Sequence, residues 1–228
     1  MVKVFWVIVS IVFAEIFLHL FYNIQYPHKQ EVEKHYKKGK YQIICVGDSI
    51  VNGVGAKDLL NTLAPQIERL TGMKTLNAGM NSETSRDVLH RVKYLVTLKP
   101  EIIIVQSGTN DKFYYEYPPF WAFLRKSYLF RLLSKPFPRP SYTVLDFWTN
   151  MEEIYWLCQT HGVRLIMTTI NLNPHDSRVN IHNAILRQYP ETVEIHLESK
   201  HFFDNVHLND EGYKEFARQV AKRIKESQ

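Results

Sequence analysis

The residues most able to do chemistry lie far apart in the chain. Ser49 stands in Gly47-Asp48-Ser49-Ile50, directly after the apolar run 41–46, with Gly53 and Gly55 close behind. A serine hydroxyl becomes a useful nucleophile only when a base removes its proton. Near the other end, Asp204 and His207 are three positions apart in Phe203-Asp204-Asn205-Val206-His207-Leu208. On a tight loop that spacing lets the carboxylate reach Nδ1 while Nε2 faces outward, as a general base requires. Acyl transfer also needs hydrogen-bond donors waiting for the oxyanion. Gly79, in Asn77-Ala78-Gly79, can offer a backbone N–H, and Asn110, in Gly108-Thr109-Asn110-Asp111, a side-chain amide. The N–H of Ser49 itself is a third donor. Taken singly, each of these short stretches also reads as ordinary turn or helix-cap chemistry.

What joins them is placement. Five apolar, strand-like runs (41–46, 74–77, 102–106, 163–170 and 192–197) alternate with helical patterns at 59–70, 84–98, 143–161 and 178–188. Asn209 or Asp210 can cap a last helix reaching about residue 227. Such alternation predicts a parallel sheet covered by helices on both faces. In open sheets of this kind ligands bind beyond the carboxyl ends of the strands. Each candidate residue follows a strand-like run, so the sheet would gather them on one edge.

The four motifs together, G-D-S-I at 47–50, N-A-G at 77–79, G-T-N-D at 108–111 and D-N-V-H at 204–207, resemble the SGNH/GDSL hydrolase superfamily in order and wide spacing. The resemblance implies a flavodoxin-like three-layer α/β/α sandwich with a five-stranded parallel sheet. It implies hydrolysis of esters or thioesters without a metal or other cofactor. It casts Ser49 as nucleophile, His207 as base, Asp204 as its partner, and Ser49, Gly79 and Asn110 as the oxyanion hole. One departure concerns the turn after the second strand. Where many relatives read G-x-S-G-x-T, this chain reads Gly79-Met80-Asn81-Ser82-Glu83-Thr84, without the second glycine.

Before this domain, residues 4–21 are almost continuously apolar, which is near the length that spans a bilayer. Glu15 and His19 interrupt the run, and Phe21, Tyr22 and Tyr26 fit an interfacial belt. The expectation is an N-terminal transmembrane signal anchor at 1–26, a lysine-rich tether at 27–40, and a hydrolase domain at 41–228. No small-residue cleavage site follows the apolar run. Lys29, Lys34, Lys37, Lys38 and Lys40 favour a cytoplasmic domain, whereas membrane-tethered enzymes that resemble this one are commonly exported. Both orientations stay open.

The chain carries a formal charge of +5, with many basic residues in the tether and the last helix rather than in one stripe. A nucleic-acid partner is therefore not expected; the basic residues read first as a solvated face, and attraction to anionic headgroups is the alternative that fits a membrane-tethered protein. Cys45 and Cys158 lie in a strand-like and a helical pattern and read as small core residues.

Directly after Asn110, residues 112–142 hold many aromatic side chains and five prolines. This insertion reads either as a lid or membrane-facing surface for acyl chains, or as a loop packing on the domain. A short helix near 120–133 fits between the prolines. A lipid-type or small acyl ester is the favoured substrate. The alternatives are an O-acetyl ester of a cell-envelope glycan, or a catalytically weak membrane-tethered binding or assembly factor.

Overall fold

The computed structural model describes residue 10 and residues 41–111, 143–170 and 177–226. The expected anchor and tether, and the insertion at 112–142 with its expected helix, lie outside the described residues. Among the described residues no helix is long and apolar enough to cross a membrane.

The strands are β1 (Ile43–Gly47), β2 (Thr75–Gly79), β3 (Ile102–Gln106), β4 (Arg164–Thr168) and β5 (Thr192–Val193). All pairings are parallel, in the order β2-β1-β3-β4-β5. That is a doubly wound order, and it puts a topological switch point between β1 and β3. Every residue of β1 and β3 is buried. Successive side chains point to opposite faces, so a fully covered strand is apolar throughout rather than alternating.

Two cores follow. On one face Ile44, Val46, Ile103 and Val105 pack against α3 (Ser85–Leu95), α4 (Val144–Thr160) and α5 (Ser177–Leu186). On the other, Ile43, Cys45, Ile102 and Ile104 pack against α1 (Ser49–Asn52), α2 (Leu63–Thr71) and α6 (Asp210–Glu226). Each fully buried Leu, Ile or Phe among them contributes about 1.5–3 kcal/mol relative to exposure. Cys45 and Cys158 are buried free thiols in these cores.

Three elements differ from the sequence pattern. The helix expected at 59–70 is split into a 3-10 turn, Leu59–Asn61, and α2, which begins at Leu63. Pro65 lacks an N–H and fits only in a helix's first turn, so it sets that start. The last strand is cut to Thr192–Val193. Beyond it the Ile195 N–H donates to the Thr169 side chain at 2.9 Å and the His196 N–H to Gln219 at 2.9 Å, so the chain leaves the ladder. The single-turn helix α1 was not visible in the pattern. Asp48 caps it by accepting from the Ile50 N–H at 2.9 Å, and Gly53 ends it in the left-handed region, φ 101°.

Candidate active site

The strand ends place the residues singled out in the sequence as follows. Ser49 is the first residue of α1, two positions beyond the end of β1. His207 and Asp204 lie in a tight loop closed by the antiparallel bridge between Phe202 and Leu208. The Phe203 N–H donates to the His207 carbonyl at 2.7 Å across this loop. Three contacts hold the loop and the start of α6 against the segment after α1. The Asp210 carboxylate accepts from the Lys57 N–H (2.9 Å) and from the Asn61 amide (3.1 Å), and the Tyr213 hydroxyl donates to the Val54 carbonyl (2.9 Å).

These contacts bring Ser49 Oγ to 3.0 Å from His207 Nε2 across 158 residues of chain. On the other side of the ring, Nδ1 is 2.7 Å from Asp204 Oδ2. The second oxygen, Asp204 Oδ1, accepts from the backbone N–H groups of Val206 (2.7 Å) and His207 (2.6 Å). Partial burial pushes the Asp204 carboxyl up, but the His207 ring and the two backbone donors outweigh it and hold Asp204 below its ordinary value. An ionised carboxylate only accepts, so Nδ1 carries the ring hydrogen and Nε2 is left to accept from the serine hydroxyl.

The expected oxyanion donors are placed less uniformly. The Ser49 N–H opens a helix and so has no intrahelical acceptor. One hydrogen of the Asn110 amide goes to the Glu83 carbonyl at 2.9 Å, which fixes the group and leaves its second hydrogen to donate. Gly79 departs from expectation. Its N–H donates to the side chain of Asn77 at 2.9 Å, an Asx-type turn that already engages it. The visible role of Gly79 is close packing, since a Cβ there would lie 2.0 Å from the backbone nitrogen of Asn52. The turn lacking its second glycine is nonetheless built as a glycine would build it, with Ser82 in the left-handed region at φ 63°. The turn is tied to α1 by the Asn52 amide, which donates to Asn81 Oδ1 at 2.8 Å.

Several residues of the site were not anticipated. Asp111 is buried and accepts from the N–H and hydroxyl of Ser85, which joins the loop after β3 to the start of α3. The Asn150 amide in turn donates to the Ser85 hydroxyl at 2.8 Å. Arg91, on α3, donates to the carbonyls of Gly47 and Ala78 and pairs with Glu83. Its signal in the sequence is a charge placed within the apolar stripe of Val88, Leu89, Val92 and Leu95. Among the described residues no three of His, Cys, Asp or Glu converge to hold a metal ion.

Behind Ser49 the carboxyl groups of Asp48, Glu83 and Asp111 are raised, chiefly by burial, to about 7, 7 and 6. Asp48 is fully buried, and its Oδ2 has no hydrogen-bond partner. The folded chain therefore holds the Asp48 proton more tightly than the unfolded chain does. The stabilisation is complete below the ordinary carboxyl value of 3.8 and is lost as pH rises through about 7. We expect stability to fall between pH 4 and 7 and Asp48→Asn to flatten that slope, as denaturant unfolding across that range would show.

The fold and the strand-end geometry have counterparts among known proteins. Residues 45–215 match the GDSL-like lipase/acylhydrolase family. The chain belongs to that family. It is an ester hydrolase of the GDSL type. No curated protein matches its sequence significantly. Solved structures of similar fold include a GDSL-like lipase from Bacteroides thetaiotaomicron, with 16% identity, TM-score 0.63, and 88% of this chain and 98% of that one covered. An α/β hydrolase enzyme from the metagenome of Lake Arreo is similar at 16% identity and TM-score 0.59, over 81% of this chain and 95% of its own. An acetylxylan esterase from Geobacillus stearothermophilus is similar at 14% identity and TM-score 0.57, over 81% and 94%. At these identities the likeness concerns the fold.

Proposed function

We propose that this GDSL hydrolase cleaves carboxylic esters through a Ser49–His207–Asp204 triad and an acyl-enzyme. The observation that carries the reading is the unbroken relay from Ser49 Oγ to His207 Nε2 (3.0 Å) and from Nδ1 to Asp204 (2.7 Å). A further support is that two catalytic mutants of the acetylxylan esterase replace an aspartate and a histidine with the same spacing as Asp204 and His207.

In the first half-reaction the Ser49 oxygen bonds to the ester carbonyl carbon as its proton passes to Nε2. Negative charge moves to the carbonyl oxygen and is met by the Ser49 N–H and the Asn110 amide. The carbon–oxygen bond to the alcohol then breaks, and the alcohol leaves with the proton from Nε2. In the second half, His207 Nε2 takes a proton from water as the water oxygen bonds to the acyl carbon. The bond to Ser49 then breaks, Ser49 leaves with the proton from Nε2, and the acid is released. Asp204 stays ionised throughout and stabilises the imidazolium.

The substrate is a carboxylic ester with an apolar acyl or alcohol part, of lipid or small acyl type. Its support is the exposed phenyl ring of Phe203 beside Asp204, together with exposed Leu59 and Leu60 after α1. The apolar segment at 1–26 serves as a single-pass anchor that keeps the domain at a membrane, and the tether at 27–40 gives it reach. A p-nitrophenyl ester series from acetyl to octanoyl tests the reading. We expect saturable hydrolysis, with Asn110→Ala lowering kcat by about 10²–10³-fold. Undiminished turnover in that variant would remove Asn110 from the oxyanion hole, and a sharp preference for acetyl would favour a glycan O-acetyl ester over a lipid.

A further inference from the structure

We infer that Arg91 is a positioning residue that sets the oxyanion donor against the nucleophile, which rests on the triad reading above. Its guanidinium reaches three segments at the carboxyl edge of the sheet. Nη2 donates to the Gly47 carbonyl at 3.1 Å, two residues before Ser49, and also to the Glu83 carboxylate. Nη1 donates to the Ala78 carbonyl at the end of β2. Glu83 completes the link from its other end, because its backbone carbonyl accepts the Asn110 amide at 2.9 Å. A continuous path therefore runs from the arm that carries Ser49, through Arg91 and Glu83, to Asn110.

The setting suits a precise joint rather than a surface ion pair. The side chains of Arg91 and Glu83 are only 16% and 14% exposed, so water competes weakly for these bonds. Both carbonyls lie at the last rungs of the β1–β2 ladder, and the Gly47 carbonyl also accepts from the Met80 N–H at 2.9 Å, so the guanidinium adds to the ladder and ties down its end. A planar fork with several fixed donors serves carbonyls and a carboxylate together, whereas an ammonium is a point charge without that geometry. Neither Arg91 nor Glu83 needs to touch the substrate. Their effect is on the distance between two groups that must meet one carbonyl.

Such an effect appears in the transition state and not in ground-state binding, so kcat falls while KM holds. A displacement of about 1 Å at the reacting centre costs on the order of 100-fold in rate. The test is a double-mutant cycle in the full chain, reading kcat and KM on p-nitrophenyl acetate, with folding followed by circular dichroism. Arg91→Met is expected to lower kcat by about 100-fold with KM within about twofold. In the Asn110→Ala background the same substitution is expected to cost less than about 10-fold, because the donor it positions is gone. Arg91→Lys, which keeps the charge, is expected to behave like Arg91→Met. An equal cost in both backgrounds, or none in the first, overturns the inference. So does unfolding with either substitution, which would mark Arg91 as structural. Ser49→Ala run alongside separates the two levels. If that variant keeps activity the triad reading fails, and if it is inactive while Arg91→Met is fully active only the positioning role fails.

Discussion

Ser49→Ala is expected to lower kcat for p-nitrophenyl esters by at least about 10⁴-fold, as loss of the nucleophile does in other serine hydrolases. The change removes one oxygen. It deletes the hydrogen bond to His207 and with it the atom that forms the acyl-enzyme. Stability should hardly move, since one side-chain hydrogen bond is worth about 1 kcal/mol net. Asp48 keeps its cap on α1 in the variant, because that bond runs to the Ile50 N–H and not to Ser49. The variant should therefore unfold at nearly the wild-type denaturant concentration. Retention of more than about 1% of wild-type turnover would assign the nucleophile elsewhere.

Asp204→Asn is expected to cost about 10³–10⁴-fold in kcat through the tautomer of His207. The local bonding sets the direction. Oδ1 of Asp204 accepts from the N–H groups of Val206 and His207, so the asparagine carbonyl must take that place. Its NH₂ then faces Nδ1, where Asp204 Oδ2 now stands. An amide donor there makes Nδ1 an acceptor and moves the ring hydrogen to Nε2. A protonated Nε2 of a neutral ring cannot take the proton from Ser49. Steady-state kinetics on the purified variant would show the loss, and a fall of less than about tenfold would mean that Asp204 does not set the tautomer.

Much of this was legible in the sequence because the relevant signals are local. The alternation of strand-like runs with helical patterns predicts a parallel sheet covered on both faces, and β1 and β3 are buried throughout. Thr84 and Asp87, and Thr143 and Asp146, are spaced as capping boxes, and both boxes form at the starts of α3 and α4. The spacing of Asp204 and His207 predicted a carboxylate on Nδ1, and the loop delivers it. What was not legible depends on backbone groups that no side-chain pattern records. The engagement of the Gly79 N–H by Asn77 is a choice between two acceptors for one donor. The loss of residues 194–197 from the last strand follows from Thr169 and Gln219, which are distant in sequence. The role of Arg91 leaves little trace in the sequence, because its partners are mainly carbonyls, and carbonyls are present at every residue.

The left-handed Ser82 shows how a missing motif residue can leave the shape intact. Serine pays more than glycine for that conformation, and the turn is held by contacts around it: Asn81 to Asn52 on one side, and the Thr84 capping box on the other. The turn thus keeps Glu83 where its carbonyl meets Asn110.

The most direct test is the site of covalent labelling by a fluorophosphonate, whose phosphorus reacts with an activated serine and mimics the tetrahedral intermediate. The wild-type chain should gain one adduct, mapped by peptide mass spectrometry to Ser49, and His207→Ala should abolish it. An adduct on another residue, or labelling that persists without His207, would contradict a Ser49–His207 relay.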